Sequence, residues 1–228
     1  MFLNRWQSYV LGLACALLCS SPVWAASLHV QLQDSHGQPL ANAVVSLNGP
    51  QGAPVGPIPA IMDQVQKQFL PAVLAVRSGT RVSFPNRDDI RHQVYSFSPA
   101  KRFELRLYKD TPSEPVLFDK PGLVVLGCNI HDWMVGYIYV TDDPWFAVSD
   151  EAGKLHIDDL PVGRYHVTLW HPQMTDLSPQ TSADIEVPAA GLQLSLPIVL
   201  GNAAVAPIPP APVSSFGEAF KKATDEDR

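Results

Sequence analysis

The stretch LVVLGCNIHDWMVGYIYV, residues 123–140, joins two apolar runs through a short polar segment. Both runs have the β-branched and aromatic composition that is typical of strands. The segment between them places a thiol, an imidazole and a thioether three residues apart, at Cys128, His131 and Met134. The pattern predicts two strands joined by a loop whose side chains include soft metal ligands.

Cys128 is the one cysteine that we expect in the mature protein, because Cys15 and Cys19 lie in a predicted leader. A solitary cysteine forms no internal disulfide, so packing, reactivity or metal binding must explain it. Copper sites that transfer electrons use two His, one Cys thiolate and a weak axial Met. The candidate for the second His is His92, which follows a strand-like run and a polar loop. Zinc is the weaker interpretation, because structural zinc sites use more thiolate and imidazole ligands and seldom take Met.

Residues 1–25 have the features of a secretory signal, with Arg5 ahead of an apolar core from Val10 to Cys19. Small residues precede a cut that we place after Ala25. An uncleaved anchor is the alternative, although the apolar core is short for a bilayer. We therefore expect a periplasmic protein with no integral membrane segment once the signal is removed.

The chain carries 16 Lys and Arg against 22 Asp and Glu. This acidic balance argues against a nucleic-acid partner. Eight of the basic residues nevertheless fall between residues 77 and 109. A solvated strand face explains this concentration, and electrostatic steering toward an acidic partner is the alternative.

Strand-like runs between Gly, Pro, Asn and Asp turns predict an all-β protein, and the 22 prolines argue against long helices. The predicted strands are Leu28–Gln33, Ala43–Leu47, Ala72–Val76, Arg81–Phe84, Val94–Phe97, Phe103–Tyr108, Val116–Phe118, Leu123–Leu126, Tyr137–Thr141, Lys154–Ile157, Tyr165–Trp170, Ala183–Val187 and Leu192–Leu196. Short strands at regular spacing indicate β-sandwiches.

A Pro- and Gly-rich segment after residue 49 and the Asp142–Pro144 break divide this pattern. We predict one sandwich over residues 50–145, inserted into a second, discontinuous sandwich formed by 26–49 and 146–200. Two consecutive domains are the simpler alternative. Residues 201–228 are Pro-rich and then charged, which predicts a disordered tail.

Residues 69–141 resemble a cupredoxin of the plastocyanin/azurin class, and amicyanin most of all. Asn86 stands six residues before His92, and Gly122 stands six before Cys128, as in amicyanin. The Cys-x-x-His-x-x-Met spacing matches amicyanin's short ligand loop. The resemblance implies a Greek-key sandwich with one type-1 copper, held by four ligands: His92, Cys128, His131 and Met134.

The flanking pieces LHVQLQDSHGQPLANAVVSLNG and VSDEAGKLHIDDLPVGRYHVTLWHP resemble a carboxypeptidase-regulatory-like or transthyretin-like β-sandwich. With the cupredoxin-like part, the chain is similar to exported proteins labelled "methylamine utilization protein". That label is no evidence for methylamine metabolism.

The sequence departs from the amicyanin pattern at four positions. Gln93 replaces an Asn that braces the ligand loops, and Val124 replaces an aromatic residue. Ile130 and Asp132 replace the two prolines around the exposed His. These changes leave the ligand types intact but affect the hydrogen bonds around them, and hence the redox potential.

The main hypothesis is an exported copper protein that carries single electrons and is not an enzyme. A redox partner would dock near His131 if Ile130, Trp133 and Met134 form an apolar rim there; packing between the two domains is the alternative role of these three residues. The alternatives are a copper storage or delivery protein and a cell-envelope binding module without a redox role. Asp88 and Asp89 are interpreted as turn formers. The other histidines lack ligand-like spacing: His29, His36, His156, His166 and His171.

Overall fold

The computed structural model describes residues 25–50, 56–112 and 114–201. Within these ranges the regular elements are all strands, so the all-β prediction is confirmed. The seventeen strands are β1 (Ala25–Gln33), β2 (Val44–Asn48), β3 (Ala60–Ile61), β4 (Asp63–Val65), β5 (Gln68–Leu70), β6 (Val73–Arg77), β7 (Thr80–Ser83), β8 (His92–Ser98), β9 (Lys101–Tyr108), β10 (Val116–Phe118), β11 (Gly122–Cys128), β12 (His131–Thr141), β13 (Trp145–Val148), β14 (Lys154–Pro161), β15 (Gly163–Trp170), β16 (Gln180–Val187) and β17 (Leu192–Pro197).

Every strand-like run identified in the sequence overlaps one of these strands. Four strands were not predicted: β3, β4, β5 and β13. They contain two to four residues each, so they are too short to show an alternation of apolar and polar side chains. The β4–β5 hairpin lies beside the candidate site, because the backbone of its turn contacts Asp88.

A five-stranded sheet and a three-stranded sheet share the core that surrounds the predicted ligands. The strand order is β6-β12-β11-β8-β9 in the larger sheet and β10-β7-β3 in the smaller one. Their buried side chains form one apolar cluster, which includes Phe84, Phe118, Leu126 and Ile138. Cys128 and Met134 belong to the same cluster. The loop that carries the predicted ligands is therefore built directly on a packed core.

The five-stranded sheet is covered on both of its faces, which explains its nearly continuous apolar sequence. Side chains alternate across a strand. In β11, Val124 and Leu126 enter the core that contains Cys128, whereas Leu123 and Val125 pack against a second core on the opposite face. The two strands that carry the ligand loop are thus held from both sides.

The second core lies between sheets formed by both ends of the described chain. One sheet has the order β14-β1-β17 and the other the order β13-β2-β15-β16. Strands β1 and β2 pair with strands after residue 144, and no described ladder joins them to the strands between β3 and β12. The division into an inserted and an interrupted domain stays a prediction, and so do its boundaries.

Aromatic side chains connect the second core with the outer face of the five-stranded sheet. Trp170 is fully buried, and its ring lies 5.6 Å from that of Tyr137 and 5.9 Å from that of Tyr139. The Trp170 indole N–H donates to the carbonyl of Leu177 at 3.0 Å. Arg77 donates to the carbonyl of Pro144 and lies over the ring of Phe146. This seam ties the ligand-bearing sheet to the rest of the fold.

In the part of the chain that the structure describes, no helix is long and apolar enough to cross a membrane. The predicted signal, except Ala25, and the predicted tail beyond residue 201 lie outside the described residues. The predicted cleavage point follows the first residue of β1.

Candidate metal site

Cys128 and His131 stand on either side of the tight connection between β11 and β12. The ladder between these strands has an irregularity after Gly127, and beyond it Cys128 pairs with His131. Because Cys128 follows the alternation of Val124 and Leu126, its side chain points into the core, where it is 2% exposed. His131 is partly exposed. The loop therefore joins a buried thiol to an imidazole at the surface.

His92 begins β8 and reaches the same point from the neighbouring loop. Its side chain is fully buried, and its Nδ1 lies 3.8 Å from the Sγ of Cys128. The Nδ1 of His131 lies 3.9 Å from the same sulfur, and the two imidazole rings are 5.0 Å apart. The structure thus brings together three residues separated by up to 39 positions (131 minus 92) in the sequence, with their donor atoms within 4.8 Å of one another.

The spacing of these atoms fits a transition-metal ion. With typical bonds of about 2.3 Å to sulfur and about 2.05 Å to nitrogen, a trigonal angle separates the two donors by about 3.8 Å. A tetrahedral angle gives about 3.6 Å with the same bonds. The sulfur-to-nitrogen distances, 3.8 and 3.9 Å, lie within about 0.3 Å of both values, so one ion can bridge Cys128 and each imidazole. Two His and one Cys are the strong donors of blue-copper sites.

Met134 is buried in the same apolar cluster as Cys128, where its side chain is 1% exposed. This position corrects one expectation, because Met134 does not contribute to an apolar rim at the surface. The rim consists of Ile130 and Trp133, which are 47% and 69% exposed. The role of Met134 as the axial ligand stays a prediction.

Asp88 holds His92 from the side that faces away from Cys128. Its Oδ2 lies 2.8 Å from the Nε2 of His92. The Asp88 carboxylate also accepts hydrogen bonds from the backbone N–H groups of Gln66, at 2.6 Å, and Lys67, at 2.8 Å. With its Nε2 bonded to a fixed carboxylate, His92 presents Nδ1 to the site. Asp88 is therefore more than the turn former predicted from the sequence.

The carboxylate of Asp88 was missed because its partners belong to the unpredicted β4–β5 hairpin. Gln66 and Lys67 form the turn of that hairpin and have left-handed backbone angles, with φ of 53° and 60°. The available signal was the four-residue spacing from Asp88 to His92, which allows contact between the two side chains across a short loop.

Asn86 braces the loop that leads to His92. Its amide donates to the carbonyls of Ile90, at 2.9 Å, and Tyr108, at 3.0 Å, while its side-chain oxygen accepts the N–H of Asp88. Gln93 does not take part in this brace, because its amide donates to Glu104 on β9. The loop is thus fixed by Asn86 at its start and by Asp88 at its centre.

The surroundings of Asp88 and His131 lower the pKa values of both side chains. Partial burial raises the pKa of Asp88, but hydrogen bonds from His92 and from the Lys67 and Gln66 amides outweigh it and leave the pKa below its usual range. Desolvation and the nearby charges of His92 and Lys67 lower the pKa of His131. The lowered pKa values favour the carboxylate form of Asp88 and the neutral imidazole of His131, and a neutral imidazole is the form that binds metal ions.

No protein-family model matches this chain, and no curated protein matches it. Among solved structures, it is similar to a Cu-containing nitrite reductase from Thermus scotoductus SA-01, with 25% identity, a TM-score of 0.35 and 49% of this chain covered. The match spans 28% of that enzyme's length. A purple cupredoxin from Nitrosopumilus maritimus matches 36% of this chain and 96% of its own, with 22% identity and a TM-score of 0.31. An oxidized mutant of amicyanin matches 42% of this chain and 99% of its own, with 18% identity and a TM-score of 0.34.

Proposed function

We propose that this chain is an exported type-1 copper protein that carries single electrons and is not itself an enzyme. The observation that carries the proposal is the convergence of His92, Cys128 and His131, whose donor atoms lie within 4.8 Å of one another. Met134 is the proposed axial ligand, since it lies in the same core and the sequence places it three residues after His131. Copper bound there supplies a one-electron change between Cu(I) and Cu(II).

The rigidity of the donors supports electron transfer over copper delivery. His92 is fully buried and is bonded to Asp88, which is itself held by two backbone N–H groups. Cys128 lies at the end of a strand that is packed on both faces. Ligands held in this way change position little between two oxidation states, which favours a fast electron exchange. A delivery protein needs ligands that move apart to release the ion.

The edge of His131 is the proposed point of electron exit. His131 is the one partly exposed member of the three-residue cluster, and its ring lies 5.2 Å from that of Trp133. Ile130 and Trp133 are exposed on the same loop, so they offer an apolar contact beside the imidazole. A redox partner that docks there would approach the site without entering the core.

Expression of the full chain in a bacterium tests export and copper binding together. We expect a periplasmic product whose intact mass begins at Ala26. One equivalent of Cu(II) should give it an intense visible thiolate-to-copper band and a type-1 EPR spectrum, and voltammetry should be reversible. A colourless protein with an ordinary tetragonal Cu(II) spectrum would contradict type-1 copper, and a cytoplasmic product of full mass would contradict export.

Replacing Asp88 with alanine should weaken copper binding by about 10- to 100-fold, because loss of a hydrogen-bond partner behind a His ligand typically has an effect of this size. Competition with a chelator of known affinity measures the change. Asp89→Ala is the matched control, since the neighbouring carboxylate is fully exposed and its ion-pair partner is Lys109. Equal effects of the two substitutions would show that the contact with His92 is unimportant.

A further inference from the structure

Two of the five histidines outside the proposed copper site lie opposite each other on neighbouring strands, His29 and His156. His171 is buried, with its Nε2 donating to the carbonyl of Ala41 and its Nδ1 accepting the N–H of Gln173. His36, His156 and His166 each lie beside an aspartate: Asp34, Asp158 and Asp184. The separation of His29 and His156 by 127 positions (156 minus 29) gave no ligand-like spacing in the sequence.

The antiparallel pairing of β1 and β14 places His29 directly opposite His156. Both side chains point away from the core and are exposed. Their rings lie 6.4 Å apart and are tilted by 28°. Opposed residues in an antiparallel pair have Cβ atoms about 4.5–5.5 Å apart. The strand register therefore fixes the bases of two imidazoles at a distance from which both can reach one ion.

We propose that His29 and His156 form a surface site for a borderline divalent cation such as Cu²⁺ or Ni²⁺, separate from the His92 cluster. Imidazole nitrogen suits these ions, and both side chains are free to rotate because they project into solvent. Each ring has to turn from its nearly parallel orientation so that one nitrogen of each faces the ion. The backbone ladder keeps its geometry during this turn.

The surroundings supply further oxygen donors. The Oδ2 of Asp158 lies 3.9 Å from the Nε2 of His156. On the other side of β1, Gln193 of β17 is paired with His29. Both imidazoles are exposed, so water can complete the coordination. Lys154 lies two residues before His156 on the same face and opposes a bound cation. An open site with two imidazoles and water exchanges its ion readily, unlike the buried cluster.

Addition of Ni²⁺ to the metal-free mature chain tests the site, with amide NMR signals as the readout. We expect paramagnetic broadening centred on β1, β14 and β17. His29→Ala and His156→Ala should each weaken this binding on the order of 10²-fold, because one ligand alone lacks the advantage of two linked donors. His166→Ala is the matched control, since it removes an exposed strand histidine from another sheet.

Broadening confined to the loops around His92 and His131, or an unchanged affinity in both alanine variants, would overturn the proposal. Both substituted side chains are exposed, so the thermal unfolding midpoints should stay close to that of the unsubstituted chain. The proposal does not depend on the copper function, because its signals come from a different sheet.

Discussion

A Cys128→Ser variant should lose the intense visible band of the copper-loaded protein completely. The band requires a thiolate bound to Cu(II), and Cys128 is the one cysteine among the described residues. The hydroxyl of serine is a hard, mostly protonated ligand at neutral pH, so the two imidazoles would have to hold Cu(II) without a sulfur donor. Absorption and EPR spectra of the two proteins, each with one equivalent of Cu(II), measure the difference.

Met134→Leu serves as the control for this substitution. Leucine fills a similar volume in the core, and such exchanges usually cost less than about 1.5 kcal/mol. Because the proposed axial bond is weak, we expect Met134→Leu to keep the colour and to change the reduction potential. If the Cys128→Ser protein keeps the colour, the Cys128 thiolate is not a copper ligand. If both variants lose the colour, damage to the core explains the loss.

The sequence predicted His92, Cys128 and His131 because their chemistry and spacing are local signals. A Cys and a His three residues apart between two apolar runs have few interpretations, and the spacing from Asn86 to His92 matched a known pattern. For Asp88 the sequence offered only its four-residue spacing from His92, which allows a contact but does not predict it. Its role depends on the backbone of Gln66 and Lys67, which approaches only after a hairpin of two three-residue strands has formed. Such contacts between a side chain and a distant turn leave no periodic pattern in a sequence.

The surface histidines illustrate the same limit. Nothing near His29 in the sequence indicates that it will lie opposite His156, because that contact is set by the register of β1 against β14. Register follows from which face of each strand is buried, and hence from the complete core. The alternation of apolar residues predicts that both strands exist, but not which strands will pair.

The seam at Trp170 raises the question of whether the two cores unfold together. Trp170 belongs to β15, which pairs with β2 and β16, yet it packs against Tyr137 and Tyr139 of the ligand-bearing sheet. Its apolar surroundings include residues from both groups of sheets. If this contact contributes to both cores, its loss should be felt at Cys128 even though Cys128 belongs to the other cluster.

Trp170→Ala should therefore destabilise the whole described fold by about 3–5 kcal/mol, the usual cost of removing a buried tryptophan side chain. Because Cys128 is 2% exposed, its reaction with a thiol reagent reports the opening of the site in the metal-free protein. In denaturant concentrations where labelling follows unfolding, the labelling rate should rise by roughly 10²-fold to several times 10³-fold, since each 1.4 kcal/mol changes the open population about tenfold.

Trp145→Ala provides the matched control, because Trp145 is half-buried in β13 and its ring packs edge-on against Tyr165 rather than against Tyr137 or Tyr139. It should destabilise the fold less and increase Cys128 labelling less. The informative contrary result is a Trp170→Ala protein whose circular dichroism shows partial unfolding at low denaturant while Cys128 stays protected as in the unsubstituted chain. That outcome would mean that the core around Cys128 folds independently, and that the seam joins two units without coupling their stabilities.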